Sequence, residues 1–195
     1  MEILLTSITA FASTNIDDLF ILTLFFGNKK IKQHQIIAGQ FLGIITLIAV
    51  SLLGSLIGLV IDPAYIGLLG LVPIYLGLKG VWQLTRRNVT NDPDQQVKTR
   101  GNNILAVAGI TFANGGDNIG IYTPLFAIRG WTDTAAMVSV FLIMTFFWCM
   151  IARYFTKHPI VAAAVDKYGH IVTPFVLVLL GIYILYESNT ISLLP

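Results

Sequence analysis

The sequence predicts an all-α integral membrane protein of six transmembrane helices, arranged as two inverted three-helix repeats. Three observations carry this. The 195 residues are 55% hydrophobic and only 11% charged, whereas a soluble domain usually has about 25% charged residues on its surface. The apolar residues gather into long runs instead of recurring at amphipathic intervals. A polar stretch, residues 85–103, leaves three such runs on either side.

A helix rises about 1.5 Å per residue, so roughly 20 apolar residues cross a hydrocarbon core of about 30 Å. Runs at residues 3–26, 36–61, 65–84, 104–128, 134–151 and 171–193 meet that requirement. They lack the ten-residue alternation of barrel strands, which leaves helices. The chain is thus one transmembrane domain: repeat one at about 1–84, a cytoplasmic linker at about 85–103, and repeat two at about 104–195.

Run one has no basic leader and contains acidic residues, unlike a cleaved signal peptide. Run two carries Gly39, Gly43, Gly54 and Gly58, small-xxx-small spacings that favour close helix packing. Run three has Pro73, with Lys79 placed to snorkel and Trp82 to anchor at the interface. Run four holds Pro124 and a polar cluster. Run five begins near the interfacial Trp131 and contains Cys149, expected as a small apolar filler. A single cysteine excludes an internal disulfide and a thiolate cluster. Residues 158–169 predict a short interfacial helix before run six, which holds Pro174. The histidines, His34, His158 and His170, fall in basic connections and read as loop residues.

The formal net charge of +2 is less informative than its distribution. Lys29, Lys30 and Lys32 follow run one; Arg86, Arg87, Lys98 and Arg100 follow run three; Arg153, Lys157 and Lys167 follow run five. Arg129 stands on the opposite side, near Asp62, Asp133 and Glu187. The positive-inside rule then puts both termini outside.

An offset of 100 residues lays Asp17 on Asp117, Asp18 on Asn118, Ile21 on Ile121 and Thr14 on Asn114. Leu76-Gly77 in run three similarly overlies Leu180-Gly181 in run six. Three spans per half force the second half to enter the bilayer from the opposite side, which makes the repeats inverted. Secondary transporters recurrently place a polar site between such repeats.

Thr14, Asn15, Asp17 and Asp18 lie near the middle of run one; Asn114, Gly115, Gly116, Asp117 and Asn118 lie near the middle of run four. A mid-membrane aspartate costs about 2.5–3.5 kcal/mol on insertion scales, so three carboxylates require a cation, a proton or a wet cavity. Asp17 and Asp18 point about 100° apart on a regular helix, so that one lines a site while the other faces a neighbouring helix. Gly115-Gly116 favours a local break. Carboxylate and amide oxygens suit a divalent cation. Asp18 is the natural proton carrier because its counterpart is the neutral Asn118. The competing reading is that the clusters only hold helices together by hydrogen bonds.

The stretch Asn15-Ile16-Asp17-Asp18, together with Phe112-Ala113-Asn114-Gly115-Gly116-Asp117-Asn118-Ile119 and the YLGLKG segment at 75–80, resembles the signature of the cadmium-resistance transporter family of the lysine exporter superfamily. The resemblance extends over nearly the whole chain. It implies an exporter of cadmium or a related divalent cation in the bacterial inner membrane, with Asn15, Asp17, Asp18, Asn114, Asp117 and Asn118 as the matching positions. Cadmium prefers sulfur, and an oxygen-rich site equally suits manganese or zinc.

The expectation is therefore a secondary transporter that exports a divalent heavy-metal cation, cadmium first, with Asp18 as a ligand or as the proton carrier of an exchange, the metal as substrate and no cofactor. Its partners are the lipid bilayer and the cation; a homo-oligomer is compatible with the chain. Export of an amino acid or organic cation is the alternative, although no mid-membrane Arg or Lys meets a substrate carboxylate. No nucleotide-binding loop, nucleophile elbow, HExxH or nucleic-acid motif is present, so neither an enzyme nor a nucleic-acid binder is expected.

Overall fold

A chain this apolar satisfies its backbone polar groups within helices, and every regular element among the described residues is helical. The computed structural model describes residues 1–28, 30–56, 65, 67–85, 103–188 and 190. The helices in chain order are α1 (Glu2–Thr14), α2 (Ile16–Gly27), α3 (Gln33–Ser55), α4 (Leu71–Thr85), α5 (Asn103–Asn114), α6 (Gly116–Ala127), α7 (Trp131–Phe155) and α8 (Pro159–Glu187). A 3-10 turn, Gly67–Gly70, precedes α4. The basic linker residues 86–102, Lys29, Gly58 and Asp62 lie outside the described residues.

Among the described residues α3 and α7 are each long and apolar enough to cross a membrane, and α1 with α2 qualifies as a pair bent by 59°. Shorter apolar helices at Leu68–Trp82, Asn103–Asn114 and Pro174–Glu187 fall in the third, fourth and sixth expected runs. The separate interfacial helix expected at 158–169 is replaced by the uninterrupted 29-residue α8. Pro159 suits its first turn, and an isolated Gly169 is too weak a breaker to end it.

The helices pair in a reciprocal pattern. The first broken span, α1 and α2, packs on α7; the second, α5 and α6, packs on α3; α4 packs on α8. Glycines set the last contact. A Cβ on Gly77 would lie 2.5 Å from the Pro174 carbonyl oxygen and 2.6 Å from Val178, and one on Gly181 would lie 2.5 Å from both the Gly70 carbonyl oxygen and Ile74. Gly70, Ile74 and Gly77 share the spacing of Pro174, Val178 and Gly181. Each helix therefore touches the other through equivalent positions.

Two buried apolar clusters form the core. One joins Phe11, Ile44, Leu47, Tyr122, Phe141 and Leu180 with their neighbours. The other joins Leu19, Leu22, Ile36, Val107 and Cys149 with theirs. Between them, on every helix that contributes to both, the buried residues turn polar: Thr14, Asn15 and Asp18 on the first span, Gln40 on α3, Thr111 and Asn118 on the second broken span, Thr145 on α7. The first broken span and α7 run from the first cluster to the second; α3 and the second broken span run the other way.

The start of α1 and the end of α8 meet at one end of the bundle. Arg129 forms ion pairs with Glu2 at 3.2 Å and Glu187 at 3.9 Å, and donates to the Tyr183 hydroxyl, which donates to Glu2 at 2.6 Å. The Tyr183 hydroxyl, followed by Arg129, holds the exposed Glu2 carboxyl below its ordinary range.

Candidate functional site

The polar layer is built where two helices are interrupted. At Asn15 the backbone leaves α-geometry (φ −123°, ψ 13°), and the side chain closes the end of α1 by donating Nδ2 to the Phe11 carbonyl at 2.8 Å. The Asn15 carbonyl accepts from Leu19 N at 3.1 Å and from the Trp148 indole at 2.6 Å. A side chain from α7 thus adds a second bond to the carbonyl at the break.

The second interruption, at Gly115, is the one anticipated from Gly115-Gly116. Its φ of −85° is open to any residue, so conformational freedom is not the reason for glycine. A Cβ there would lie 2.3 Å from Leu47 Cδ1 on α3, so the Leu47 side chain would have to turn aside. Ile119 N donates to the Gly115 carbonyl at 3.2 Å, as Leu19 N does to that of Asn15. Asp18 N donates to Asp17 Oδ1 at 3.0 Å, and Asn118 N donates to Asp117 Oδ1 at 2.9 Å. The two breaks are the same local structure 100 residues apart.

Asp17 and Asp18 diverge as a helix requires. Asp17, half-buried, accepts at Oδ2 from Asn114 Nδ2 at 3.0 Å, which joins the two motifs directly. Asp18 is buried and turns to α3, where Oδ2 accepts from the Gln40 amide. Its Oδ1 has no hydrogen-bond partner among the described residues. Asp117 and Asn114 are half-buried.

Behind these groups Tyr122 acts as a hub. Its hydroxyl is 3.1 Å from Thr14 Oγ1, 3.0 Å from Asn15 Nδ2 and 3.0 Å from the Asn118 amide. With its nitrogen and oxygen exchanged, the Asn118 amide donates to the Thr14 carbonyl at 3.2 Å and to Asp117 Oδ1 at 3.1 Å, and accepts from Asn15 Nδ2 at 3.0 Å. This orientation satisfies both ends of the amide.

The structure therefore brings Asn15, Asp17, Asp18, Asn114, Asp117 and Asn118 into one polar layer, with Asp17, Asn114 and Asp117 on its more open side. Among the described residues no group of three or more His, Cys, Asp or Glu is gathered tightly enough to hold a metal ion. The side chains that meet are carboxylates and carboxamides, with the Asn114 amide nitrogen on Asp17. Four contributors were not singled out from the sequence: Gln40, Thr111, Tyr122 and Trp148. A lone Gln in a long apolar run was the available signal for the first. Cys149 is buried in the second apolar cluster, as a filler would be, and His34 and His158 are exposed.

Comparison with known proteins matches residues 11–195 to the model of one family, described as cadmium resistance transporter. No curated protein and no solved structure matches the chain.

Proposed function

The chain belongs to the cadmium resistance transporter family, and from that premise we propose that it is a secondary exporter carrying a divalent heavy-metal cation, cadmium first, out of the cytoplasm through the Asp/Asn layer. Asp17 and Asp117 bind the cation, assisted by Asn15, Asn114 and Asn118, and Asp18 serves as a ligand or as the proton carrier of an exchange cycle. The observation that carries this reading is the hydrogen bond from Asn114 to Asp17. It ties two interrupted helices together, and in this reading that junction lies where a bilayer tolerates charge least.

Hard oxygen donors from carboxylates and amides can be completed by backbone carbonyls and water around one cation, so the site does not need all its carboxylates on the ion at once. Support for two inverted repeats comes from the matching breaks, the opposite directions of the first and second broken spans, and the equivalent contacts of Gly77 and Gly181. Alternating access then arises as the halves rock about the layer. In this role the chain crosses the inner membrane of a bacterium six times, both termini outside.

The test is uptake by proteoliposomes of purified protein, scanning cadmium, zinc, manganese and magnesium with and without a pH gradient. Flux of one ion that disappears in Asp17→Asn and Asp117→Asn supports the reading. An inserted, folded protein that moves none of them refutes it, and competition by lysine would turn it towards an organic cation.

A further inference from the structure

Asp18 is one of two adjacent aspartates, yet only Asp17 bonds to the opposite motif. What holds Asp18 comes from α3. A carboxylate only accepts, so the Gln40 side chain must present its amide nitrogen to Oδ2 of Asp18. The Gln40 oxygen then faces α5, where the Thr111 hydroxyl donates to it at 2.6 Å. Each atom of this buried chain has its orientation dictated by the next. Gln40 is 1% exposed, Thr111 2% and Asp18 3%, so no solvent competes for the bonds.

The chain depends on how closely α3 and α5 approach. A Cβ on Gly43 would lie 2.6 Å from Thr111 Cβ and 3.1 Å from the Ala108 carbonyl oxygen, and one on Gly39 would lie 2.7 Å from the Ile104 carbonyl oxygen. These two glycines flank Gln40 on α3. They let the Thr111 hydroxyl reach the Gln40 oxygen.

Building on the cation-export reading, we propose that Gln40, held by Thr111, is a positioning residue of the cation site that fixes Oδ2 of Asp18 and so reserves Oδ1 for the transported cation. The buried Oδ1 has no partner among the described residues, and a carboxylate without the Gln40 bond would turn about its Cβ–Cγ axis. The Gln40 bond fixes the plane of the group. Hydrogen bonds from outside a ligand set orient the ligands, and their loss typically lowers metal affinity about 10- to 100-fold.

The experiment is Cd²⁺ uptake into proteoliposomes by the full chain and by Gln40→Met and Thr111→Val, both near-isosteric. Insertion is checked by gel filtration in detergent. The expected result is a KM raised about tenfold or more in Gln40→Met, with a smaller rise in Thr111→Val and a maximal rate within about threefold of wild type. Should Gln40→Met fail to fold, the KM of Thr111→Val decides alone. An unchanged KM, or a fall in maximal rate without a change in KM, overturns the role, because a group needed only for packing or motion behaves so. Uptake by the wild-type protein that is itself absent refutes the export reading, and this role falls with it. Uptake by wild type with an unaffected KM in both variants removes this role alone.

Discussion

Oδ2 of Asp17 and Nδ2 of Asn114 meet at 3.0 Å, a contact between residues 97 positions apart that closes the two motifs on each other. Asn114 holds one oxygen of Asp17 and the Asp18 amide holds the other. A cation held by Asp17 would share these oxygens or displace the amide.

Cadmium bound there should stabilise the protein, by an amount that grows with the logarithm of its concentration above Kd. For a ligand that binds only the native state at about 100 times its Kd, the gain is about 2.7 kcal/mol. A melting curve in detergent should shift upward with added Cd²⁺ in the wild type and stay in place in Asp17→Asn and Asp117→Asn. Equal shifts in all three would put the metal elsewhere.

Tyr122→Phe keeps the ring that packs on Phe141, with centroids 4.4 Å apart, and removes the hydroxyl shared by Thr14, Asn15 and Asn118. Buried polar groups left unpaired cost about 1–3 kcal/mol. The variant should melt at a lower temperature than wild type; an unchanged melting temperature would mean that the hub is dispensable.

Gly77→Val and Gly181→Val should each destabilise by about 1–3 kcal/mol or more, since both new side chains run into backbone of the opposite helix. The reciprocal geometry predicts similar losses. Thermal melts in which one variant is severely affected and the other is neutral would contradict the equivalence of the two contacts.

At the bundle end, the Tyr183 hydroxyl and Arg129 lower the Glu2 pKa from its ordinary 4.5. A depressed carboxyl contributes stability that is present above the unfolded value and lost as pH falls through the folded one. Comparing melting temperature against pH for wild type and Glu2→Gln should show the wild type losing its advantage only below about pH 4.5. Parallel curves would show that the contact contributes nothing, as many exposed ion pairs do.

Much of this was readable in advance because length and hydropathy are local properties. The α3 and α7 helices sit where apolar runs demanded them, and the Gly115-Gly116 pair announced a break. The bend at Asn15 was not legible, since no glycine or proline marks it. It is sustained by Trp148, 133 residues away, and by the Asn15 side chain capping its own helix. Gln40, Thr111 and Tyr122 were missed for a related reason. Gln40 is a single amide in an apolar run, Thr111 and Tyr122 flank the polar cluster of run four without repeating in run one, and only knowledge of which helices adjoin reveals their partners. Thr14 and Asn118 belong to the same hub but could be recognised because they recur at the 100-residue offset.

The chain has three tryptophans. Trp82 and Trp131 are 54% and 66% exposed, whereas the Trp148 indole is bonded to the carbonyl at the Asn15 bend. Replacing the two outer ones with phenylalanine would leave a single tryptophan, bonded to the bend beside the polar layer. Its emission could then be followed in real time, giving an optical signal of the working cycle without any attached dye.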